Sequence, residues 1–310
     1  MNNDIIQGNM ILEIKGINKS FGDKQVLHDV SFTVTSGKAM GFLGRNGAGK
    51  TTTLRALMDV FRADSGEFLV DGIPFQPNDY KVGYLPEERG LYGKEKILTQ
   101  LIYFARLRGA TLAQAKTSAE YWIERFGLSE SKNKKLETLS KGNQQKIQIA
   151  QALLNDPDII ILDEPFSGLD PVNSQVLEEV IIESIQKGKL VIFSSHQMNY
   201  VETFCDEIAL IDQGRIVLSG NLKEIKRDLG QQRLRISHSD LKHLESAIQS
   251  IADINIEPDT DGLIIELKNG LTSERFLRAC LDSGVVPETF GPYEPSLHEI
   301  FVKTVGGEHA

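Results

Sequence analysis

The segment GRNGAGKT at Gly44–Thr51 decides the fold class of this 310-residue chain. It follows a short apolar strand predicted at Ala39–Leu43 and precedes a helix predicted over Thr51–Val60. Glycines let backbone N–H groups close around phosphate oxygens, and the following helix adds the positive end of its dipole. The spacing of Gly, four residues and Gly-Lys-Thr, between a strand and a helix, therefore predicts a loop that binds a nucleoside triphosphate.

The residue types of this loop suit the binding of phosphate and a metal ion. Lys50 can reach the β- and γ-phosphates, and the Thr51 hydroxyl can ligate Mg²⁺. A flexible glycine turn with an incidental Lys-Thr pair is the alternative, and the agreement of spacing with context argues against it. The predicted nucleotide-binding residues are Gly44, Arg45, Asn46, Gly47, Ala48, Gly49, Lys50, Thr51 and Thr52.

Two carboxylates and a histidine follow predicted buried strands further along the chain. In IIILDE at Ile159–Glu164, Asp163 suits the coordination shell of Mg²⁺ and Glu164 suits a base beside the attacking water. Alone, such a pair could equally cap a helix or face solvent, but a preceding phosphate-binding loop favours the catalytic interpretation. His196 follows the next apolar strand, in SSH, where it could contact the γ-phosphate. A lone histidine is more often structural, and its place in this order of elements favours a catalytic role.

Composition restricts the class of function. The chain is 40% apolar and 25% charged, which is typical of a globular protein. Its net charge of −9 argues against electrostatic binding of nucleic acid over a broad surface, because such binding needs clustered Lys and Arg. Two cysteines are too few for a disulfide framework or a zinc site. No apolar run approaches the roughly 18–20 residues that span a bilayer, and the N-terminus lacks the pattern of a signal peptide. We therefore expect any membrane role to come through a partner.

The order of predicted elements indicates two domains. Apolar strands alternate with helices up to residue 229, with a helical stretch over residues 95–127, and this alternation predicts a parallel sheet covered on both faces. A boundary is predicted near Arg227–Gln231. Residues 231–310 then carry seven basic and thirteen acidic residues, and their strands and helices suit a small α+β domain.

Together these motifs resemble the nucleotide-binding cassette of ABC transporters. The segment LSKGN at Leu139–Asn143 looks like the family signature, usually Leu-Ser-Gly-Gly-Gln, at the start of a helix. By position, the resemblance implies that Ser140 and the backbone of Gly142 touch the γ-phosphate bound by the other cassette of a dimer. Lys141 and Asn143 depart from the family pattern but keep polar donors, and they complete this predicted signature.

Three further positions match the family in order. Phe21 resembles the aromatic residue that stacks on adenine, although a core residue of a strand is the alternative. Glu87, in GYLPEE, stands where the family usually has a glutamine that links Mg²⁺ to the transmembrane partner. Thr51, Glu87 and Asp163 are thus the predicted Mg²⁺ ligands. Asp170, in SGLD, resembles the loop that bridges two cassettes and could also cap the helix that follows.

The resemblance implies a fold and its boundaries. We expect a P-loop NTPase cassette over residues 10–229, with a parallel-sheet core, an antiparallel β region and a helical subdomain over about 88–154. Residues 231–310 are expected to form an accessory C-terminal domain. The segments PEERGLY at Pro86–Tyr92 and EPSLHEIFVKTVGG at Glu294–Gly307 look like those of ABC-2-type exporters of sodium, drugs or antibiotics.

The implied function is that of an ATPase subunit that powers a separate integral membrane permease from the cytoplasmic face of the membrane. ATP and Mg²⁺ would be bound between this cassette and a second one, either another copy or a paralogue. An importer subunit is the alternative within transport. An ATPase acting on nucleic acid or ribosomes would be expected to carry tandem cassettes or coiled-coil inserts, and a non-hydrolysing scaffold would be expected to lack a residue such as Glu164 or His196.

Overall fold

The computed structural model describes residues 9–88, 90–249, 251, 253–259 and 261–306. The expected absence of a signal peptide concerns the first eight residues, which lie outside this part of the chain, as do Arg89 of the Pro86–Tyr92 segment and the last four residues of the expected C-terminal domain. The chain divides into two compact units, one reaching Leu222 and the other spanning Lys223–Gly307.

The strands of the first unit build two sheets. They are β1 (Ile11–Phe21), β2 (Lys24–Thr35), β3 (Ala39–Leu43), β4 (Ser65–Val70), β5 (Ile73–Pro74), β6 (Val82–Leu85), β7 (Ile159–Asp163), β8 (Leu190–Ser195), β9 (Glu207–Asp212) and β10 (Arg215–Asn221). The antiparallel sheet has the order β2-β1-β4-β5, and the second sheet has the order β10-β9-β3-β8-β7-β6. Neighbours from β9 to β6 in the second sheet run parallel, and β10 is antiparallel to β9. The expected parallel core and antiparallel region are therefore confirmed.

Burial on both faces explains the uniformly apolar strands. Every residue of β3, β7 and β8 is buried, so the side chains on both faces of these strands pack into the interior. Parallel strands end at one edge of the sheet, and ligands of open α/β sheets bind beyond that edge. The glycine-rich loop follows β3, Glu164 follows β7 and His196 follows β8, so the sheet brings all three segments to this edge.

Six described α-helices belong to the first unit, and a seventh, α7, begins at Leu222 and otherwise consists of residues of the second unit. They are α1 (Lys50–Leu57), α2 (Ile97–Leu107), α3 (Leu112–Arg125), α4 (Lys141–Ala152), α5 (Pro171–Gln186), α6 (Met198–Phe204) and α7 (Leu222–Leu229). The predicted helical stretch over residues 95–127 forms two helices, α2 and α3. The stretch breaks at residues 108–111, because Gly109 adopts φ 87° and Thr111 caps a new helix by accepting a hydrogen bond from the Gln114 N–H. Among the described residues, no helix is both long and apolar enough to cross a membrane.

The second unit has a βαββαβ arrangement with one antiparallel sheet. Its elements are β11 (Arg233–Ser237), α8 (Leu241–Ile248), β12 (Ile254–Asp259), β13 (Gly262–Leu267), α9 (Ser273–Asp282), β14 (Thr289–Pro292) and α10 (Leu297–Gly306). The strand order is β12-β13-β11-β14. Ile236 and Ile265 of the sheet are buried in one cluster with Leu244 of α8 and Phe276 of α9. The expected α+β fold is confirmed, and β14 was not predicted because Gly291 and Pro292 break its strand pattern.

We expect a chain truncated after Leu229 to fold and to bind ATP. The buried core of the first unit is built from residues between Leu12 and Ile211, whereas the described core of the second unit begins at Leu234. Thermal unfolding by circular dichroism should remain cooperative. A truncation after Asp206 is the control, because it removes Ala209 and Ile211 from the core and should not fold. Failure of the longer truncation to fold would show that the second unit is required by the first.

Candidate functional site

The glycine-rich loop depends on backbone that only glycine accommodates well. Gly47 and Gly49 have φ values of 81° and 116°, in the region that L side chains rarely adopt. A Cβ atom on Gly49 would also lie 2.8 Å from the Leu27 side chain, and one on Gly44 would lie 2.4 Å from the Ile211 carbonyl oxygen. The glycines therefore allow the loop to turn and to lie close against β2 and β9.

Lys50, the first residue of α1, is only 5% exposed. Its Nζ donates hydrogen bonds to the carbonyl oxygens of Gly44 at 2.8 Å and Arg45 at 3.3 Å. The same Nζ lies 3.3 Å from Glu164 Oε1, an ion pair between side chains that are both more than nine-tenths buried. A buried charge must be stabilised by an opposite charge or by hydrogen bonds. The Lys50 ammonium group is stabilised by the Glu164 carboxylate and by the two carbonyl oxygens of the loop.

Glu164 is held from both sides. Its Oε1 faces Lys50, and its Oε2 lies 2.8 Å from Nδ1 of His196. Its backbone has φ 50°, which is uncommon for a residue other than glycine. Lys50, Glu164 and His196, predicted from three separate segments, are therefore brought together.

Asp163 is 1% exposed at the end of β7. Burial raises the pKa of its carboxyl group, and a hydrogen bond from the Ser194 hydroxyl to Oδ1 opposes that rise. The other oxygen, Oδ2, is buried without a hydrogen-bond partner. A buried oxygen without a partner is costly unless a ligand satisfies it, so Oδ2 is suited to a cation.

Thr51 and Glu87 meet at the mouth of the loop, where the Thr51 hydroxyl donates to Glu87 Oε2 at 3.1 Å. They border a cavity of about 290 Å³. Its lining residues are Asn46, Gly47, Gly49, Lys50, Thr51, Thr52, Glu87 and Glu164. Gly44, Arg45 and Ala48 are not among these residues; the Ala48 N–H donates to the Arg45 carbonyl at 3.1 Å and shapes the loop.

The oxygen donors around the loop fit Mg²⁺. Carboxylate and hydroxyl oxygens are the donors this ion prefers, and Mg²⁺ usually takes phosphate oxygens and water as its remaining ligands. Within the described part of the chain, no three His, Cys, Asp or Glu side chains converge as a complete metal site. Thr51, Glu87 and Asp163 would therefore hold a metal only together with bound phosphate.

Phe21 is 49% exposed at the end of β1, which excludes the alternative that it is a core residue. Its ring packs edge-on against Phe61 with centroids 5.2 Å apart. Lys19 Nζ lies 5.4 Å from the centroid of each of these rings. Much of the Phe21 ring remains available to a planar ligand.

The signature residues and Asp170 lie at two helix N-termini and do not line the cavity. Ser140 caps α4 by accepting a hydrogen bond from the Asn143 N–H at 3.3 Å, and Lys141 and Gly142 form the first turn. Asp170 caps α5 by accepting from the Asn173 N–H at 3.0 Å, and this bond lowers the pKa of the Asp170 carboxyl group. Each segment leads into the N-terminus of a helix, where an anion is favoured.

Ser194 is the residue of this site that sequence reasoning missed. The SSH segment was interpreted only for His196, yet the Ser194 hydroxyl binds Asp163 and the backbone N–H of Glu164. The one available signal was the placement of a polar residue at the end of an apolar strand adjacent to β7.

Comparison with known proteins identifies the family. A family model described as ABC transporter matches residues 27–167, and one described as the C-terminal domain of DrrA1-3-like ATP-binding proteins matches residues 220–305. The chain is 40% identical to YhaQ of Bacillus subtilis, an uncharacterized ABC transporter ATP-binding protein, over 96% of this chain and 99% of YhaQ. It is 30% identical to the linearmycin resistance ATP-binding protein LnrL of the same organism, over 96% of this chain and 98% of LnrL.

Two further comparisons agree. The Nod factor export ATP-binding protein I of Ralstonia nicotianae is 28% identical over 96% of this chain and 94% of its own length. A solved ATP-binding subunit of an ABC transporter superimposes with a TM-score of 0.66 and 30% identity, covering 71% of this chain and 93% of the other. Because the similarity to YhaQ extends over nearly the whole of both proteins, this chain belongs to the ATP-binding subunits of ABC transporters, which hydrolyse ATP to power transport and work with membrane permeases.

Proposed function

We propose that this subunit powers export through a separate permease at the cytoplasmic face of the membrane, and that two cassettes complete each ATP site. The cassette is assigned to residues 10–229, its helical subdomain to about 88–154 and the accessory domain to 231–310. The observation that carries the proposal is the contact of buried Glu164 with both buried Lys50 and the exposed side chain of His196, beside the glycine-rich loop.

The chemical step follows from this arrangement. Backbone N–H groups of the loop bind phosphate oxygens, and Lys50 transfers its hydrogen bonds from the loop carbonyls to the β- and γ-phosphates. Water attacks the γ-phosphorus in line while the bond to the bridging oxygen of ADP breaks. Glu164 accepts the proton of that water, and His196 holds Glu164 through Nδ1 while its other ring nitrogen supports the γ-phosphate.

Thr51, Glu87 and Asp163 are the residues proposed to hold Mg²⁺ beside the phosphates. The support is their donor chemistry and the buried Asp163 oxygen that lacks a partner. When bound, Mg²⁺ offsets the negative charge of the phosphoryl oxygens during transfer.

The signature residues are absent from the cavity of their own chain, and we propose that the second cassette supplies them. Ser140, Lys141, Gly142 and Asn143 form the start of α4, where a helix N-terminus favours an anion, yet none of the four lines the cavity of the same chain. We assign them to the γ-phosphate of the opposite cassette and Asp170 to the bridging loop. Phe21, with half of its surface exposed, is assigned to stacking on adenine. The second cassette is a further copy of this chain or a paralogue.

Export is favoured over import by the relatives. The proteins named for Nod factor export and linearmycin resistance match nearly the full chain, and the C-terminal unit matches the DrrA1-3-like domain. The transported compound is recognised by the permease, which is a different polypeptide.

Lys50→Ala should weaken ATP binding about 10- to 100-fold, because a hydrogen bond to a charged group contributes about 1.5–3 kcal/mol. Among the residues that line the cavity, Lys50 alone carries a positive charge. Calorimetric titration should be repeated in a Glu164→Gln background, where the substitution leaves no buried carboxylate without its partner. Lys38→Ala, which removes a lysine paired with Glu207 instead, is the control. Unchanged affinity in both backgrounds would contradict the proposed loop.

Glu164→Gln should lower the rate of ATP hydrolysis about 10²–10⁴-fold, because it removes the general base. ATP should then accumulate in a closed dimer visible by size-exclusion chromatography with Mg²⁺, and adding Ser140→Arg should return it to a monomer. Glu67→Gln, at an exposed position of β4, is the control. Hydrolysis at the wild-type rate would exclude Glu164 as the base. If only a paralogue completes the site, the dimer should form with that chain and not with a second copy.

The direction of transport should be visible in inside-out vesicles that contain the subunit and its permease. ATP added outside reaches the cassettes there, so an exporter should accumulate its substrate in the lumen. Radioactive sodium and a lipophilic fluorescent dye are suitable probes, with a Glu164→Gln subunit as the control. ATP-driven release of preloaded probe from the lumen would instead indicate an importer.

A further inference from the structure

We propose that Ser194 is a positioning residue that sets the geometry of both Asp163 and Glu164 through one hydroxyl group. The inference rests on the proposed roles of these two carboxylates. Ser194 does not itself line the cavity, and no described hydrogen bond joins it to Lys50, so it would act through Asp163 and Glu164.

The register of the parallel sheet creates the contact. Asp163, the last residue of β7, is the direct partner of Ser194 on β8. Side chains paired across adjacent parallel strands point to the same face of the sheet, so the hydroxyl and the carboxylate meet inside the protein. Both side chains are almost completely buried, with exposures of 0% for Ser194 and 1% for Asp163.

The Ser194 hydroxyl acts as donor and acceptor at once. It donates to Oδ1 of Asp163 and accepts from the backbone N–H of Glu164 at 3.0 Å. A serine hydroxyl has a single hydrogen to donate. Since that hydrogen is directed to Oδ1, the Asp163 carboxylate is oriented with Oδ2 left without a partner, as a metal ligand requires.

The bond to the Glu164 N–H bears on the second carboxylate. Glu164 adopts φ 50°, and a residue other than glycine holds such a conformation only where its surroundings determine it. The turn directs the carboxylate between Lys50 and His196. The Ser194 hydroxyl thus stabilises the backbone turn that orients the carboxylate of Glu164, the proposed base.

A buried serine with a merely structural role exists in the same unit and provides a comparison. Ser184 is 8% exposed, and its hydroxyl donates to the Val180 carbonyl one helical turn earlier. Removing that hydroxyl should affect stability at most. Removing the Ser194 hydroxyl should also change metal binding and turnover.

The test compares Ser194→Thr with Ser194→Val, which have nearly the same shape and differ by the hydroxyl, together with Ser194→Ala, which adds no volume. Loss of a group that orients a metal ligand typically lowers metal affinity or activity about 10- to 100-fold. We expect Ala and Val to show that loss in turnover and to need correspondingly more Mg²⁺ for half-maximal rate. Thr should retain most of both, and Ser184→Ala should behave as wild type.

A second readout does not depend on turnover. In a Glu164→Gln background, titration of ATP with and without Mg²⁺ measures how much the ion strengthens nucleotide binding. Ser194→Ala should reduce that gain about 10- to 100-fold and leave ATP binding in EDTA unchanged. Thermal unfolding of each variant identifies any that are not folded, and Ser194→Ala is the variant that decides if Thr and Val do not fit.

Two outcomes would overturn the inference. One is a Ser194→Ala chain with wild-type turnover and Mg²⁺ dependence, and the other is equal loss in Thr and Val variants that both fold as the wild type does, which would show that the loss does not depend on the hydroxyl group. If either result is obtained while the Glu164→Gln chain is inactive, only the proposed role of Ser194 is excluded. Normal hydrolysis by Glu164→Gln would instead remove the proposed function of the carboxylate.

Discussion

The pairing of Lys50 with Glu164 is the constraint on which the site depends. Two opposite charges lie 3.3 Å apart with almost no exposure to water, and removing one partner of such a pair typically costs about 3–5 kcal/mol. The pair therefore requires that the loop after β3 and the end of β7 stay in register. In the proposed mechanism a triphosphate competes for the same cation, which would couple substrate binding to the arrangement of the proposed base.

The strand order explains how this pair is built. β8 lies between β3, which carries the loop, and β7, which carries the carboxylates. Ser194 near the end of β8 consequently contacts both Asp163 and Glu164, and His196 just after the strand contacts Glu164. The strand that contributes neither the cation nor the carboxylates thus holds the carboxylates in place.

Much of the fold was predictable because short local patterns determine it. β3 has the predicted bounds, since it is an apolar run between clear turn signals. β9 and β14 were not predicted. β9 carries a buried run, IALI, which does not by itself distinguish a strand from a helix, and β14 is short and contains Gly291 and Pro292. The break between α2 and α3 depends on Gly109 and Thr111, which the helical period alone did not reveal.

The same difference between local sequence patterns and long-range contacts explains which residues of the site could be predicted. The loop, Asp163, Glu164 and His196 could be located because each follows a strand and parallel strands end together. The bond from Ser194 to Asp163 joins residues 31 positions apart and depends on strand register, which spacing does not reveal. The signature at Ser140 and the loop at Asp170 were located only by resemblance, because the partner proposed for them is another chain.

A crystal structure of the Glu164→Gln chain with ATP and Mg²⁺ would test the central claim most directly. We expect Lys50 Nζ to leave the Gly44 carbonyl oxygen and to bind β- and γ-phosphate oxygens, with the metal at Asp163 Oδ2 and Ser140 of a second cassette at the γ-phosphate. A nucleotide bound elsewhere, or Lys50 still bonded to Gly44 beside a loop that holds no phosphate, would contradict it.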